Sequence, residues 1–277
     1  MKLPPLELLA KHDRDLCEQY SEQQAKAIPM SRQLLCRVLG KYLLFVDPFD
    51  ISMTPHLAML GHWEMWVTLA IARHVARGGH YVDVGAAYGY YTVLLGDLAG
   101  EKGKVEAFEP HAGQMRRLVQ TCAVNGLSER VALHPYAVVE QPYAALPFLR
   151  GNHNIGSSAL AELYSCGEDT QEDTVSAVSL DQLLGDKKID FVKIDVEGAE
   201  ARVWDGMRQL RGNPNLQILM ELTPFKHPDH GRRILEEAQA EGFKLLEVGT
   251  EGEMKPQTVT ELIRTDGPDL RMIWLAR

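Results

Sequence analysis

Carboxylates recur at the ends of predicted β-strands in this chain. Asp83, Glu109 and Asp195 each lie near or directly after the end of such a strand, and Glu197 follows shortly. The carboxyl ends of parallel strands meet at one edge of an open α/β sheet, where ligands bind. Carboxylates gathered there would attract a cation, and Glu109 could accept hydrogen bonds from both hydroxyls of a ribose. The pattern predicts a site for a positively charged ligand that contains a ribose.

A short glycine loop, Gly85-Ala-Ala-Tyr-Gly89, follows the first of these strands. Its two glycines would let the backbone approach a ligand closely, although such a turn alone is also an ordinary connection between a strand and a helix. Combined with the acidic strand ends, the loop favours a cofactor site. Among the neighbouring tyrosines, Tyr88 is the side chain that we expect to face the ligand.

The same loop discriminates between two nucleotide cofactors. A dinucleotide site needs G-x-G-x-x-G facing a pyrophosphate, and this loop lacks the second glycine. Asp83 and Asp195 would also repel a pyrophosphate. S-adenosylmethionine has no phosphate and carries a sulfonium and an ammonium, which suit a site rich in carboxylates. The residues therefore favour S-adenosylmethionine, with a nicotinamide-dependent oxidoreductase as the alternative.

The elements that would position these residues alternate between strand and helix from Tyr81 onward. The strand candidates are residues 81–84, 104–108, 131–134, 189–195, 217–221, 243–247 and 271–275. The helix candidates are residues 91–98, 112–125, 181–184, 199–210 and 231–239. This alternation predicts an α/β domain in which helices cover both faces of a parallel sheet.

Three segments lie outside the alternation. Residues 1–79 are predicted to form a mainly helical cap, with strands between residues 33 and 46, ahead of a main domain of residues 80–277. Residues 142–174 and 250–268 interrupt the main domain, and loops of that length are usually functional or disordered.

The charge and the cysteine content of the chain argue against several classes of binding partner and site. The chain has 277 residues, with 29 basic and 38 acidic side chains and a net charge of −9. Such a charge argues against a nucleic acid or an anionic membrane as a partner. None of the four cysteines forms a C-x-x-C pair, so neither a zinc site nor a redox dithiol is expected. Free thiols and an N-terminus without an apolar signal segment predict a soluble, cytoplasmic protein.

Four motifs, in this order, resemble the FkbM-type S-adenosylmethionine-dependent methyltransferases. They are residues 81–92, Phe108-Glu-Pro110, Val178-Ser-Leu-Asp181 and Ile189-Asp-Phe-Val-Lys-Ile-Asp-Val-Glu-Gly-Ala-Glu200. Asn125, Gly61-His-Trp-Glu64 and Ile155-Gly-Ser-Ser158 also fit the family pattern, whereas Ala87 replaces the family's usual Asn. The resemblance covers roughly residues 50 to 225.

The resemblance implies a Rossmann-like class I methyltransferase fold. Its sheet would have seven strands, with residues 271–275 as an antiparallel last strand. S-adenosylmethionine would be the cofactor, and the reaction would be O-methylation of a small metabolite such as a sugar or polyketide. By position, Glu109 would bind the ribose, Glu64 would reach the ammonium, and Asp195 would lie beside the methyl group. The other implied cofactor contacts are Asp83, Gly85, Ala86, Tyr88, Gly89, Ser157 and Glu197.

Methylation of an aliphatic hydroxyl requires a general base near the acceptor. Asp195 is the first candidate because it ends the central predicted strand, and His153 is the second because an imidazole titrates near neutral pH. Lys193 lies two residues before Asp195, so the two share one face of a regular strand. Lys193 could assist deprotonation or form a buried ion pair with Asp195, and we favour the ion pair.

Several questions remain open at this stage. A methyltransferase-like binding protein without turnover is a third reading of the same motifs. The identity of the small hydroxyl acceptor and the formation of a homo-oligomer are not encoded in any motif. No residue spacing requires a metal ion, and we assign none.

Overall fold

The N-terminal segment combines helices with a small antiparallel sheet. A computed structural model describes residues 5–154, 158–163, 170–223, 228–264 and 270–277. In the N-terminal segment the elements are α1 (Pro5–Lys11), α2 (Arg14–Gln24), β1 (Lys26–Met30), β2 (Gln33–Val38), β3 (Tyr42–Val46), α3 (Thr54–Met59) and α4 (Met65–His74). The predicted cap therefore contains a three-stranded sheet in the order β1-β2-β3.

The alternation of strand and helix begins where the sequence predicted it. The next elements are β4 (His80–Val84), α5 (Tyr90–Ala99), β5 (Lys104–Phe108), α6 (Ala112–Val124) and β6 (Val131–His134). Helix α5 begins after Gly89, whose φ of 91° is left-handed and favours glycine. Helix α6 begins at His111, whose side chain accepts a hydrogen bond from the backbone N–H of Gln114.

A four-stranded sheet occupies most of the segment that was predicted to be a long loop. Its strands are β7 (Ala137–Val138), β8 (Tyr143–Gly151), β9 (Ala159–Leu160) and β10 (Thr170–Val178), in the order β7-β10-β8-β9. The expectation for residues 142–174 was wrong because the buried residues that indicate a strand are confined to residues 146–151 of β8 and 175–178 of β10. The first residues of β10 are polar and mostly exposed, so they show no regular alternation of apolar and polar residues.

The C-terminal part completes the large sheet. Its elements are α7 (Leu180–Leu184), β11 (Phe191–Ile194), α8 (Glu200–Asp205), α9 (Arg208–Arg211), β12 (Gln217–Leu222), α10 (Pro228–Ala240), β13 (Lys244–Val248), β14 (Met254–Pro256), α11 (Val259–Leu262) and β15 (Arg271–Ala276). The single helix predicted over residues 199–210 is two helices that meet at Gly206. A Cβ at Gly206 would overlap the backbone oxygen of Val139, so only glycine fits there.

The large sheet has eight strands in the order β14-β13-β15-β12-β11-β4-β5-β6. It contains all seven predicted strands and adds β14, which lies in a segment predicted to be a loop. Strand β15 is antiparallel to both β12 and β13, as the resemblance implied. The strand order reverses between β4 and β11, and ligands of open α/β sheets bind at such a reversal.

Apolar cores cover both faces of this sheet. One includes Leu9 of the N-terminal segment, Leu94 of α5 and Trp274 of β15, so the N-terminal helices pack on the sheet itself. The other includes Val192 of β11 and Trp204 of α8. Among the described helices, none is long and apolar enough to span a bilayer.

Candidate active site

A cavity of about 220 Å³ opens at the carboxyl ends of β4, β5 and β11. The large sheet contributes residues from the glycine loop, from the end of β5 and from the end of β11. The N-terminal segment contributes Ser52, Met53 and Trp63, and the four-stranded sheet contributes Phe148 and Leu160. The predicted residues that line the cavity are Gly85, Ala86, Glu109, Lys193, Asp195 and Glu197. Six of the predicted site residues therefore line the same cavity.

The glycine loop is shaped by contacts within the protein. Gly85 has a φ of 81°, and a Cβ there would overlap the backbone oxygen of Asp195. Gly89 does not line the cavity; a Cβ there would lie 2.5 Å from Cδ1 of Leu118. Gly85 is therefore required where the ends of β4 and β11 meet, and Gly89 is required where α5 meets α6.

Glu109 is a buried carboxylate held by backbone donors. The N–H of Ala87 donates to one oxygen and the N–H of His111 donates to the other, both at 2.8 Å. Ala87 adopts a left-handed φ of 49°, a conformation that is uncommon for residues other than glycine and in which Asn is enriched. Burial raises the pKa of Glu109 to about 7. The amide nitrogen of Gln114 also faces both oxygens of Glu109, at 3.0 and 3.1 Å. A carboxylate has about four acceptor positions, so a ligand would share with Gln114 those that the backbone donors leave.

Lys193 and Asp195 form a buried ion pair, as the strand spacing predicted. The Nζ of Lys193 lies 3.0 Å from Oδ2 of Asp195 and 3.8 Å from Oδ1 of Asp83. Burial lowers the pKa of Lys193, but the charges of Asp195 and Asp83 outweigh it and hold the pKa above its ordinary value. Lys193 is therefore an ammonium at neutral pH and cannot itself accept a proton.

Asp83 and Glu64 contact the site indirectly. Asp83 is fully buried, accepts a hydrogen bond from Thr92 at 2.6 Å and does not line the cavity. Glu64 accepts a hydrogen bond of 2.6 Å from the hydroxyl of Tyr91, which does line it. Burial, followed by the charge of Asp195, raises the pKa of Glu64 to about 7. Glu64 also has a left-handed φ of 36°, which few residues other than glycine adopt.

A strained loop places Glu197 at the cavity. Glu197 has a φ of 53° and the next residue, Gly198, has a φ of 96°. The carboxyl of Glu200 holds this loop because it accepts hydrogen bonds from the N–H groups of Val196 and Gly198. Burial raises the pKa of Glu200 to about 7.

Two predicted residues lie away from the cavity. Tyr88 is fully buried but does not line it; its phenol lies near Asp47 and Asp50 because the loop turns the side chain toward the N-terminal segment. His153 is exposed and does not line the cavity either, and its backbone oxygen accepts a hydrogen bond from Ile51. These placements correct the expectation that Tyr88 faces the ligand and that His153 lies beside an acceptor.

One residue of the Gly-Ser-rich loop, Ser158, reaches the cavity. Ser157 lies outside the described residues. Its neighbour Ser158 lines the cavity and accepts a hydrogen bond of 3.1 Å from the N–H of Gly151. Across the described ranges, no group of three or more His, Cys, Asp or Glu residues is arranged to hold a metal ion.

Several cavity residues were not singled out from the sequence. Tyr136 and Val138 follow β6, so their position after a predicted strand could have identified them as residues of the site. Trp63 lies inside the Gly-x-x-Glu element and could also have been predicted from it. Met53 and Phe148 come from segments without a motif, so no signal in the sequence marks them.

The comparison with solved structures matched several methyltransferases at low sequence identity. A methyltransferase FkbM from Methylobacillus flagellatus is 14% identical, with 76% of this chain and 47% of that chain covered and a TM-score of 0.48. This chain thus spans about half the length of that protein. An O-methyltransferase from Thermotoga maritima is 13% identical (91% and 85% covered, TM-score 0.45). A precorrin-6y C5,15-methyltransferase from Geobacter metallireducens is 10% identical (77% and 86% covered, TM-score 0.43). A comparison with curated proteins found no match.

The sequence itself carries the decisive similarity. Residues 83–245, more than half of the chain, match the methyltransferase FkbM domain. The matched range contains the glycine loop, Glu109 and the Lys193–Asp195 pair that form the cavity. The chain belongs to the FkbM methyltransferase family.

Proposed function

We propose that this protein is an S-adenosylmethionine-dependent methyltransferase that methylates a hydroxyl of a small metabolite. One observation carries the proposal. The carboxylates of Glu109 and Asp195 line the same cavity as the backbone of Gly85 and Ala86, at the reversal of strand order. The cap of residues 1–79 and the methyltransferase domain of residues 80–277 are part of the proposal, supported by the cap residues Ser52, Met53 and Trp63 in the cavity wall.

The described residues fit a cationic nucleoside. Ala87 and His111 occupy two of about four acceptor positions of Glu109, and ribose hydroxyls would replace the amide of Gln114 at the others. Asp195 and Glu197 supply negative charge at the opposite wall, and Lys193 is already engaged by Asp195 and Asp83. The net charge of the cavity therefore favours a cation. When bound, S-adenosylmethionine supplies a methyl group on a positively charged sulfur.

The chain's own residues would then hold the acceptor and accept its proton. Asp195 is the candidate base because its side chain is 22% exposed and lines the cavity. Lys193 is a positioning residue that fixes the carboxylate of Asp195 at 3.0 Å. His153 is no longer a candidate base in this proposal because it is exposed and outside the cavity.

Two other readings compete with this proposal. A nicotinamide-dependent oxidoreductase would bind a pyrophosphate next to Asp195 and Glu197, which would repel it. A protein without turnover would retain the same cavity, and Lys193 would still neutralise buried Asp83. The ion pair of Lys193 and Asp195 therefore does not separate catalysis from binding, and the product assay below does.

Ligand-dependent stabilisation tests the choice of cofactor. A ligand at about 100 times its Kd adds roughly 2.7 kcal/mol of stability, which raises Tm by about 5–10 °C in a chain of this size. We expect this rise with S-adenosylmethionine and none with NAD or NADP. A rise with the nicotinamide cofactors alone overturns the proposal.

Product formation tests the chemistry. Labelled S-adenosylmethionine is supplied with a panel of hydroxylated metabolites, and S-adenosylhomocysteine is quantified. The Asp195→Asn variant should lower kcat by about 10²- to 10⁴-fold, whereas Asp186→Asn on the loop after α7 should leave it unchanged. Full activity of Asp195→Asn would remove Asp195 as the base.

A further inference from the structure

A rigid turn forms one side of the cavity mouth. This rim turn, residues 47–53, is organised by Asp50, whose carboxylate is 4% exposed. Asp50 accepts hydrogen bonds from the N–H groups of Ser52 at 3.0 Å and Met53 at 3.1 Å. Asp47 pairs with Arg117 of α6 at 2.6 Å. Both acidic side chains of the turn therefore bind partners within the protein.

The outward side chains of the rim turn are large and apolar. Phe49 is 69% exposed and Ile51 is 70% exposed. The next two residues, Ser52 and Met53, line the cavity. The N–H of Ile51 donates to the backbone oxygen of His153 at 2.7 Å, which joins the turn to the end of β8. Apolar surface thus continues from the cavity wall at Met53 onto the outside of the mouth.

The cavity encloses at most part of a donor and an acceptor bound together. Its volume is about 220 Å³, whereas sites that enclose a single drug-sized ligand have about 300–1,000 Å³. The part beside Glu109 and Gly85 would hold the donor. An acceptor could place its hydroxyl near Asp195, but the rest of the molecule would lie at the mouth, against the rim turn.

The charges of the cavity exclude an anionic acceptor. Among the described residues that line it, Lys193 is the cation, and Asp195 and Asp83 already bind it. A phosphate or carboxylate on the acceptor would meet Glu109, Asp195 and Glu197 instead. The walls that remain for the acceptor are apolar, with Met53, Trp63, Phe148 and Leu160.

We propose that the methyl acceptor is an uncharged, predominantly apolar alcohol whose body lies on Phe49 and Ile51 at the cavity mouth. This inference rests on the proposed function, and it selects one class within it: neither a sugar phosphate nor a nucleotide-activated sugar would suit the site. The apolar side chains of the rim turn are then the specificity-determining residues, since they contact the acceptor and not the donor.

Three small probes test this class on protein saturated with S-adenosylhomocysteine. They are 1-octanol, its anionic counterpart octanoate, and methyl β-D-glucoside, with binding measured by saturation-transfer NMR and calorimetry. We expect 1-octanol to bind at least about tenfold more tightly than the other two. Phe49→Ser and Ile51→Ser should each weaken 1-octanol binding by about fivefold, because each removes part of the apolar contact area. Ile28→Ser is the matched control, because Ile28 is 54% exposed on β1 and does not line the cavity.

The outcomes separate this inference from the proposed function. Failure of S-adenosylhomocysteine to bind counts against the proposed function, and the probe titrations are then read on the ligand-free protein. Octanoate or methyl β-D-glucoside binding as tightly as 1-octanol overturns the inference. The inference is also overturned if the Phe49→Ser and Ile51→Ser variants bind 1-octanol as tightly as the wild type does. A shift from dimer to monomer in these variants, or their loss of binding to lipid vesicles, would instead assign the rim turn to a second copy or a membrane and also overturn it.

Discussion

The backbone oxygen of Asp195 lies against Gly85 so closely that a Cβ at Gly85 would overlap it. Gly85 follows β4 and Asp195 follows β11, and these two strands are parallel neighbours at the reversal of strand order. The absence of a side chain at Gly85 therefore lets the carboxyl end of β11 reach the glycine loop. This contact brings Asp195 and the glycine loop to a single cavity.

Gly85→Ala should destabilise the protein strongly. The new Cβ would meet the oxygen of Asp195, and a φ of 81° is strained for alanine. We expect the free energy of unfolding to fall by on the order of 3 kcal/mol, with loss of donor binding. Gly78→Ala is the control, since Gly78 has a φ of 82° but open space at the Cβ position; it should cost only about 1 kcal/mol. Urea unfolding checks both, and equal losses in the two variants would show that φ strain alone explains the effect.

Lys193→Met should destabilise the protein most at high pH. It leaves Asp83, which is fully buried, without its cation, and breaking a buried pair costs about 3–5 kcal/mol. Burial raises the pKa of Asp83, and loss of Lys193 raises this pKa further. The folded variant then binds a proton that the unfolded chain releases, so its stability falls as pH rises above the unfolded pKa.

Urea unfolding at pH 5 and pH 8 measures this effect. The loss relative to the wild type should be about 3 kcal/mol or more at pH 8 and smaller at pH 5. Asp83→Asn in the same chain should restore much of the loss, because it removes the unpaired charge. Lys188→Met is the control, since Lys188 is 75% exposed and 4.0 Å from Asp190. A loss that does not change with pH would contradict the role given to Asp83.

The sequence was sufficient to predict the strands of the large sheet and the acidic residues at their ends. Strand β11 is buried along its whole length, and its residues other than Lys193 are apolar, as is typical of a central parallel strand. The spacing of Lys193 and Asp195 predicted their shared face because side chains alternate along a strand. Glu109 was identifiable since it directly follows β5.

Side-chain direction in turns could not be predicted in the same way. Tyr88 belongs to the glycine loop, but the left-handed φ of the preceding Ala87 turns its ring away from the cavity. The rim turn is held by hydrogen bonds that Asp50 accepts from backbone N–H groups. Such bonds produce no periodic pattern of apolar residues in the sequence. Phe148 reaches the cavity through the long-range pairing of β8 with β10, which no local pattern encodes.

Donor affinity should fall as pH falls through about 7. Burial raises the pKa values of Glu109 and Glu64 to about 7, so both carboxyls hold a proton below that pH in the ligand-free protein. A cationic donor binds the ionised forms, and its affinity is therefore present above pH 7 and lost below it. The loss should approach about tenfold per pH unit for each group.

Calorimetry of S-adenosylmethionine binding between pH 5.5 and 8.5 tests this dependence. Glu109→Gln and Glu64→Gln should each weaken binding at pH 8 and reduce its slope against pH. Glu7→Gln is the control, because Glu7 is 45% exposed in α1 and pairs with Lys11 of the same helix. An affinity that is constant over this pH range would show that neither carboxyl exchanges its proton for the donor.

Glu221→Gln should stabilise the ligand-free protein above neutral pH. Glu221 is the penultimate residue of β12 and is 7% exposed. Burial, followed by the charges of Asp195 and Glu197, raises the pKa of Glu221 to about 10. The folded protein therefore holds a proton that the unfolded chain releases above about pH 4.3, and stability decreases as pH rises between these two values. A neutral amide removes that dependence, so the variant should gain on the order of 3 kcal/mol at pH 8 and little at pH 4.5.

Glu236→Gln, at a side chain 58% exposed in α10, should leave the unfolding free energy unchanged at both pH values. A Glu221→Gln variant that is less stable than the wild type at pH 8 would mean that Glu221 is ionised there and that its charge is compensated within the folded protein.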